Sequence, residues 1–139
     1  MTDHAKTEAR IRDSFARQTM MQTLGAELAG VSEGRVEITA PVLPSSLQQQ
    51  GAGHAALTFA IGDSAAGYAA LTMMPDDVEV MTVEMKINLM SPAIGDRLIA
   101  EGRVIKPGRR ITVVAAEVWA ETGGRRKQVA LLQGTMIAV

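Results

Sequence analysis

The sequence contains no cysteine. That excludes a disulfide framework, a thiolate metal site and a cysteine nucleophile. Aromatic residues are few: Phe15, Phe59, Tyr68 and Trp119. The formal net charge is −1, and no long basic run occurs. Nucleic-acid binding draws on a positive field and stacking platforms, so a nucleic-acid partner is not expected. Histidine occurs only at His4 and His54. With no cysteine and no paired carboxylates, a metal centre is not expected either. No apolar stretch reaches the ~18 uninterrupted residues of a membrane helix, and the first residues are charged (Asp3, Lys6, Glu8, Arg10) rather than apolar as in a secretory signal. The expectation is a cytoplasmic protein with no membrane partner.

What is present is an ordinary globular composition over 139 residues, 47% hydrophobic and 21% charged. One domain over 1–139, large enough to bury a core, follows from that. Residues 1–22 read as an N-terminal helix with Ile11, Phe15 and Met21 as buried points. Leu24 to Val31 reads as a strand. Arg35 to Ala40 alternates apolar and polar as a half-buried strand does. Pro41 and Pro44 end it, and a polar loop follows through Gln48-Gln49-Gln50 to Gly51. From about 52 to 74 the chain is almost wholly small or apolar, a length and alanine content that favour helix. A helix apolar all round is buried all round. After Pro75 the period becomes two. Strands are expected over Val78–Leu89, Arg97–Lys106, Arg110–Glu121 and Lys127–Val139, in a meander, with Met81, Val83, Met85, Ile87 and Leu89 on one face of the first. The fold class is therefore α+β: a curved antiparallel sheet around one long helix. Such a sheet leaves one face and its edges uncovered, so association with further copies is expected.

The chemistry centres on Asp63, the only Asp, Glu, Lys or Arg between Ile38 and Pro75. A carboxylate in an apolar helix is costly to desolvate unless it is paired, hydrogen-bonded or protonated. Such acids cluster at active sites. The competing reading is a structural carboxylate bonded to a neighbouring segment. His54, at the helix start, precedes Asp63 by nine residues. That is about two and a half turns and roughly 13–14 Å along the axis, so the two side chains lie on opposite faces. If they share a site, two protomers must build it. His54 can equally be a hydrogen-bonding residue of the helix start. The backbone N–H groups there, with the helix dipole, can hold an oxyanion or polarised carbonyl.

Two local patterns mislead. Gly51-Ala52-Gly53-His54-Ala55-Ala56 fits a dinucleotide-loop spelling, but it follows a polar loop and no βαβ alternation surrounds it. Gly62-Asp63-Ser64 has no histidine base after it to activate the serine.

The run Gly51-x-x-His54-Ala55-Ala56, then Asp63, then Ser64-Ala65-Ala66-Gly67, resembles the central helix of the hotdog-fold thioesterases of the phenylacetate-degradation type. The segment Thr82 to Ala93, with Gly95-Asp96 and the closing Gly134-Thr135, is similar to later parts of that family. The resemblance covers Leu24 to the end. It implies a hotdog fold, dimers with one continuous sheet that often double to tetramers, no cofactor, and hydrolysis of acyl-coenzyme A thioesters at the dimer interface. It implies that Asp63 is general base or nucleophile, and that the Ala55 N–H binds the thioester carbonyl. Ala55 and Ala56 replace the family's usual glycines. Gln48 stands where relatives often carry asparagine and is expected to reach the carbonyl. Thr82 matches a residue that positions the attacking water.

Coenzyme A phosphates call for a basic contact, and Arg109 and Arg110 at one predicted turn are candidates, against the reading that a charged tip is simply solvated. The nine methionines serve either an acyl channel or core filling. Two other activities compete with hydrolysis: a non-catalytic acyl-thioester binding protein, and a hotdog hydratase or dehydratase, whose histidine–acid pattern is absent here.

Overall fold

A computed structural model describes residues 3–139. Met1 and Thr2, with which the expected helix over 1–22 begins, lie outside the described residues. The remainder of that helix is two helices, α1 (Asp3–Ala16) and α2 (Thr19–Leu24). No proline or glycine separates them. The break falls at Gln18, whose backbone is extended and whose side chain does not cap α2. Its amide donates instead to the Tyr68 hydroxyl at 2.6 Å. A tertiary bond has replaced a local one, which periodicity does not foresee. Ile11 and Met21 are buried, and Phe15 packs partly buried against that core.

The strands are β1 (Glu27–Ser32), β2 (Arg35–Pro41), β3 (Val80–Leu89), β4 (Arg97–Lys106), β5 (Ile111–Thr122) and β6 (Arg125–Ala138). β1 begins later than expected because α2 occupies the chain through Leu24. All pairings are antiparallel, in the order β1-β2-β4-β5-β6-β3. This corrects the expected four-strand meander. β4, β5 and β6 form one, but β3 joins the far edge beside β6. The helix between β2 and β3 carries the chain across the sheet, and strand patterning does not encode that crossing.

That helix, α3, spans Ala55–Leu71, shorter at both ends than the expected 52–74. Ahead of it, the Gly53 N–H donates to Ala93 O. At its end, the Thr72 hydroxyl donates to Ala69 O and accepts from the Gly34 N–H. Most of the apolar surface of α3 is buried: Leu57, Ile61, Ala65, Ala66, Ala69 and Ala70 are all at most 2% exposed. The expected burial all round fails along one stripe, where Ala56 is exposed and Phe59, Ala60, Asp63 and Ser64 are only partly buried. The sheet comes so near that a Cβ on Gly102 of β4 would sit 2.2 Å from the Ala65 carbonyl carbon. Gly102 is therefore where strand and helix backbones meet.

β3 departs from strict alternation. Its register with β6 shifts between Thr82 and Glu84. Such a bulge inserts one residue and reverses which side chains face inward. Val80, Met85 and Ile87 pack on the core, while Met81 and Val83 are 57% and 56% exposed. The expected single face of Met81, Val83, Met85, Ile87 and Leu89 is thus divided, and Thr82 turns toward α3.

Candidate active site

Two of the recesses along α3 hold the residues the sequence singles out. The first surrounds Asp63. The Thr82 hydroxyl of β3 donates to Asp63 Oδ1 at 2.7 Å. Burial pushes the Asp63 carboxyl above the usual carboxylate range, and the Thr82 hydrogen bond offsets part of that rise. The recess measures about 220 Å³, and Ser14, Gln18, Tyr68, Glu79 and Val80 line it beside these two. Ser14 Oγ and the Tyr68 hydroxyl are 3.0 Å apart. Sequence reading passed over Ser14, Gln18 and Tyr68, because the residues that meet here come from segments some fifty positions apart. The one available signal was Tyr68, a polar-tipped residue inside an otherwise apolar helix.

The second recess is a cleft of about 580 Å³ at the start of α3. Two loops are tied to that start. The His54 N–H donates to Ser46 O and the Gly53 N–H to Ala93 O, each at 2.8 Å. Isolated bridges link Gly53 to both Leu47 and Ala93, and a Cβ on Gly53 would lie 3.2 Å from Ala93 O. Glycine keeps these loops in place. His54 is the N-cap of α3, its Nδ1 accepting from the Ala56 N–H at 2.9 Å. This is the helix-start role weighed above. Ala55 is the first helical residue. Among the described residues no acceptor lies against its N–H, one of the first-turn donors a helix leaves unsatisfied. Gln48 lines the cleft with His54 and Ala55. Its side-chain oxygen accepts from the Gln50 and Ala52 N–H groups, so the amide NH₂ is the end left to meet a ligand.

Within one chain, then, Asp63 and Thr82 share one recess, while Gln48, His54 and Ala55 share the other. Arg109 and Arg110, on the turn between β4 and β5, line neither.

The thioesterase superfamily matches residues 50–127, more than half of the chain and a span that includes both recesses' central residues. The chain belongs to the thioesterase superfamily. A thioesterase family protein of Silicibacter pomeroyi is 40% identical, with 96% of this chain and 98% of that one covered and a TM-score of 0.93. The PaaI protein of the E. coli phenylacetic acid degradation operon superposes with a TM-score of 0.89 over 99% of this chain and 96% of that one, at 19% identity. A candidate esterase of Saccharolobus solfataricus is 28% identical over 94 residues, 68% of this chain and 66% of that protein, so slightly less than two thirds of its length is spanned. The fold is the hotdog fold the sequence resembled, and superfamily membership supports thioester hydrolysis as the general class of reaction. Among the described residues, no helix is long and apolar enough to cross a membrane.

Proposed function

We propose that this thioesterase-superfamily chain hydrolyses acyl-coenzyme A thioesters at sites shared between two protomers. The observation that carries the reading is the division of the site's parts. A base, Asp63, sits in one recess, and a free helix-start donor, Ala55 N–H, in the other, both on the same helix. Antiparallel juxtaposition of two copies of α3 would bring each donor opposite the other's base, as a two-fold axis requires. The long edge strand β3, with Met81 and Val83 exposed, offers the place for a second copy to continue the sheet. A dimer is thereby the minimal active unit, and a dimer of dimers is compatible with it.

The steps follow from the groups present. The thioester carbonyl accepts from the Ala55 N–H at the positive end of the α3 dipole, with the Gln48 NH₂ beside it, so charge developing on the oxygen is stabilised. Asp63 of the other protomer takes a proton from water as the water attacks the carbonyl carbon, or attacks directly and forms an anhydride that water then cleaves. Coenzyme A leaves as a thiolate, which needs no strong general acid. Thr82, by donating to one carboxylate oxygen, fixes the orientation of Asp63. His54 acts by shaping the helix start. Arg109 and Arg110 lie on the turn between β4 and β5, at the end of the sheet where Ile111 pairs with Ile137. That is where the phosphates of coenzyme A would find cations.

The test is thiol release from a panel of acyl-coenzyme A substrates, with Asp63→Ala beside the native protein. Release that vanishes in the variant supports the reading. Equal release in both removes Asp63 from the mechanism. No release from any substrate by folded protein leaves the non-catalytic acyl-thioester binder.

A further inference from the structure

The recess around Asp63 is polar on the side away from the sheet, and that polarity comes from the N-terminal helices. Gln18 occupies the break between α1 and α2. Its amide nitrogen holds the Tyr68 hydroxyl at 2.6 Å, and that hydroxyl also meets Ser14 Oγ at 3.0 Å. Tyr68 is only 4% exposed, and Phe15 packs against it with ring centroids 6.4 Å apart. The Arg10 guanidinium donates to Val78 O, tying α1 to the segment that leads into β3. The three polar groups are thus held rigidly at the wall of a small pocket that also contains the reacting carboxylate.

This wall has unused capacity. A primary amide offers an acceptor oxygen and a second N–H besides the one given to Tyr68. Among the described residues no hydrogen bond occupies the Gln18 oxygen. The pocket also holds two carboxylates, Asp63 and Glu79, and neither lysine nor arginine lines it. Such a surface welcomes a neutral group that can donate a hydrogen bond, and it repels an anion.

We infer that the Gln18–Tyr68–Ser14 cluster is the subsite for the far end of the acyl group, and that it selects a short acyl chain ending in a hydroxyl over one ending in a methyl or a carboxylate. The inference rests on the proposed thioesterase reading, in which the acyl group must pass Asp63. The physical ground for selection is the unpaired state a methyl would leave. A site built to hydrogen-bond a substrate hydroxyl rejects the analogue that lacks it, because its own polar groups then lose water and gain nothing.

Three thioesters of similar length separate the outcomes: 6-hydroxyhexanoyl-, heptanoyl- and adipoyl-coenzyme A, each corrected for spontaneous thiol release. The native protein is expected to favour the hydroxyacyl thioester over heptanoyl by about tenfold or more in kcat/KM, with adipoyl the poorest. Gln18→Leu and Tyr68→Phe, made separately, should each bring the hydroxyl-to-methyl ratio toward one. The ratio is internal to each variant, so a loss of folded protein lowers both substrates alike and leaves it unchanged. Heptanoyl turnover equal to or better than hydroxyhexanoyl in the native protein, with release still dependent on Asp63, overturns this inference alone. A native preference that persists in both variants overturns the assignment to this cluster. No Asp63-dependent release from any of the three overturns this inference, and release from the wider acyl-coenzyme A panel then decides the activity separately.

Discussion

The Thr82 hydroxyl and Asp63 Oδ1 are joined at 2.7 Å, strand to helix, only because β3 is bulged after Thr82. Without that extra residue the alternation through Met85 and Ile87 would aim residue 82 outward. Thr82→Val removes the donor and keeps the shape. The bond lowers the Asp63 pKa against the upward push of burial, so its loss should raise that pKa further. The acid limb of the kcat/KM–pH profile is expected to move to higher pH, with kcat reduced about tenfold as Asp63 loses its fixed orientation. An unmoved limb would separate Thr82 from Asp63 titration.

Asp63→Asn should cost thiol release about a thousandfold, within the range that general acid–base groups contribute, yet raise the melting temperature at neutral pH. The folded state holds the Asp63 proton more tightly than the unfolded chain does, since burial raises its pKa. Native stability is therefore greatest below the unfolded carboxyl pKa and falls as pH rises through the folded one. Asparagine carries no such penalty. The difference in melting temperature between the two proteins should shrink as the buffer is made acidic, and thermal denaturation across pH measures it directly.

Ala55→Pro tests the carbonyl donor. Ala55 is the first residue of α3, and His54 before it has φ −63° and ψ 144°, the extended conformation a following proline requires. Proline is well suited to that position and lacks the N–H. The helix should persist while kcat falls about a hundredfold or more.

The shared site predicts complementation. Ala55→Pro and Asp63→Ala homodimers should each be nearly inactive. Unfolding and refolding them together should restore about a quarter of native activity, because half of the random dimers are mixed and each mixed dimer has one intact site. A site contained within one chain would give no recovery on mixing.

Gly102→Ala places a methyl where the Ala65 backbone lies 2.2 Å away. Helix and sheet must separate to admit it, at a cost of about 1–3 kcal/mol or more. Chemical denaturation should register that loss with little change in the slope against denaturant.

The sequence by itself determined the type and rough place of most elements and singled out Asp63 as the candidate acid. A change of period from helical to two at Pro75, an apolar helix with one carboxylate in it, and the spacing of His54 from Asp63 are local signals with direct physical meaning. So is the conclusion that these two residues face apart, since helix geometry alone requires it. The tertiary structure decided the rest. The β3 bulge, which selects Thr82 over Met81 and Val83 to face α3, depends on pairing with β6. The place of β3 at the sheet edge depends on how α3 crosses the sheet. The break at Gln18 depends on Tyr68, a partner fifty residues away. In each case the deciding energy is a contact between segments distant in the chain, and no window along the sequence contains both of its halves.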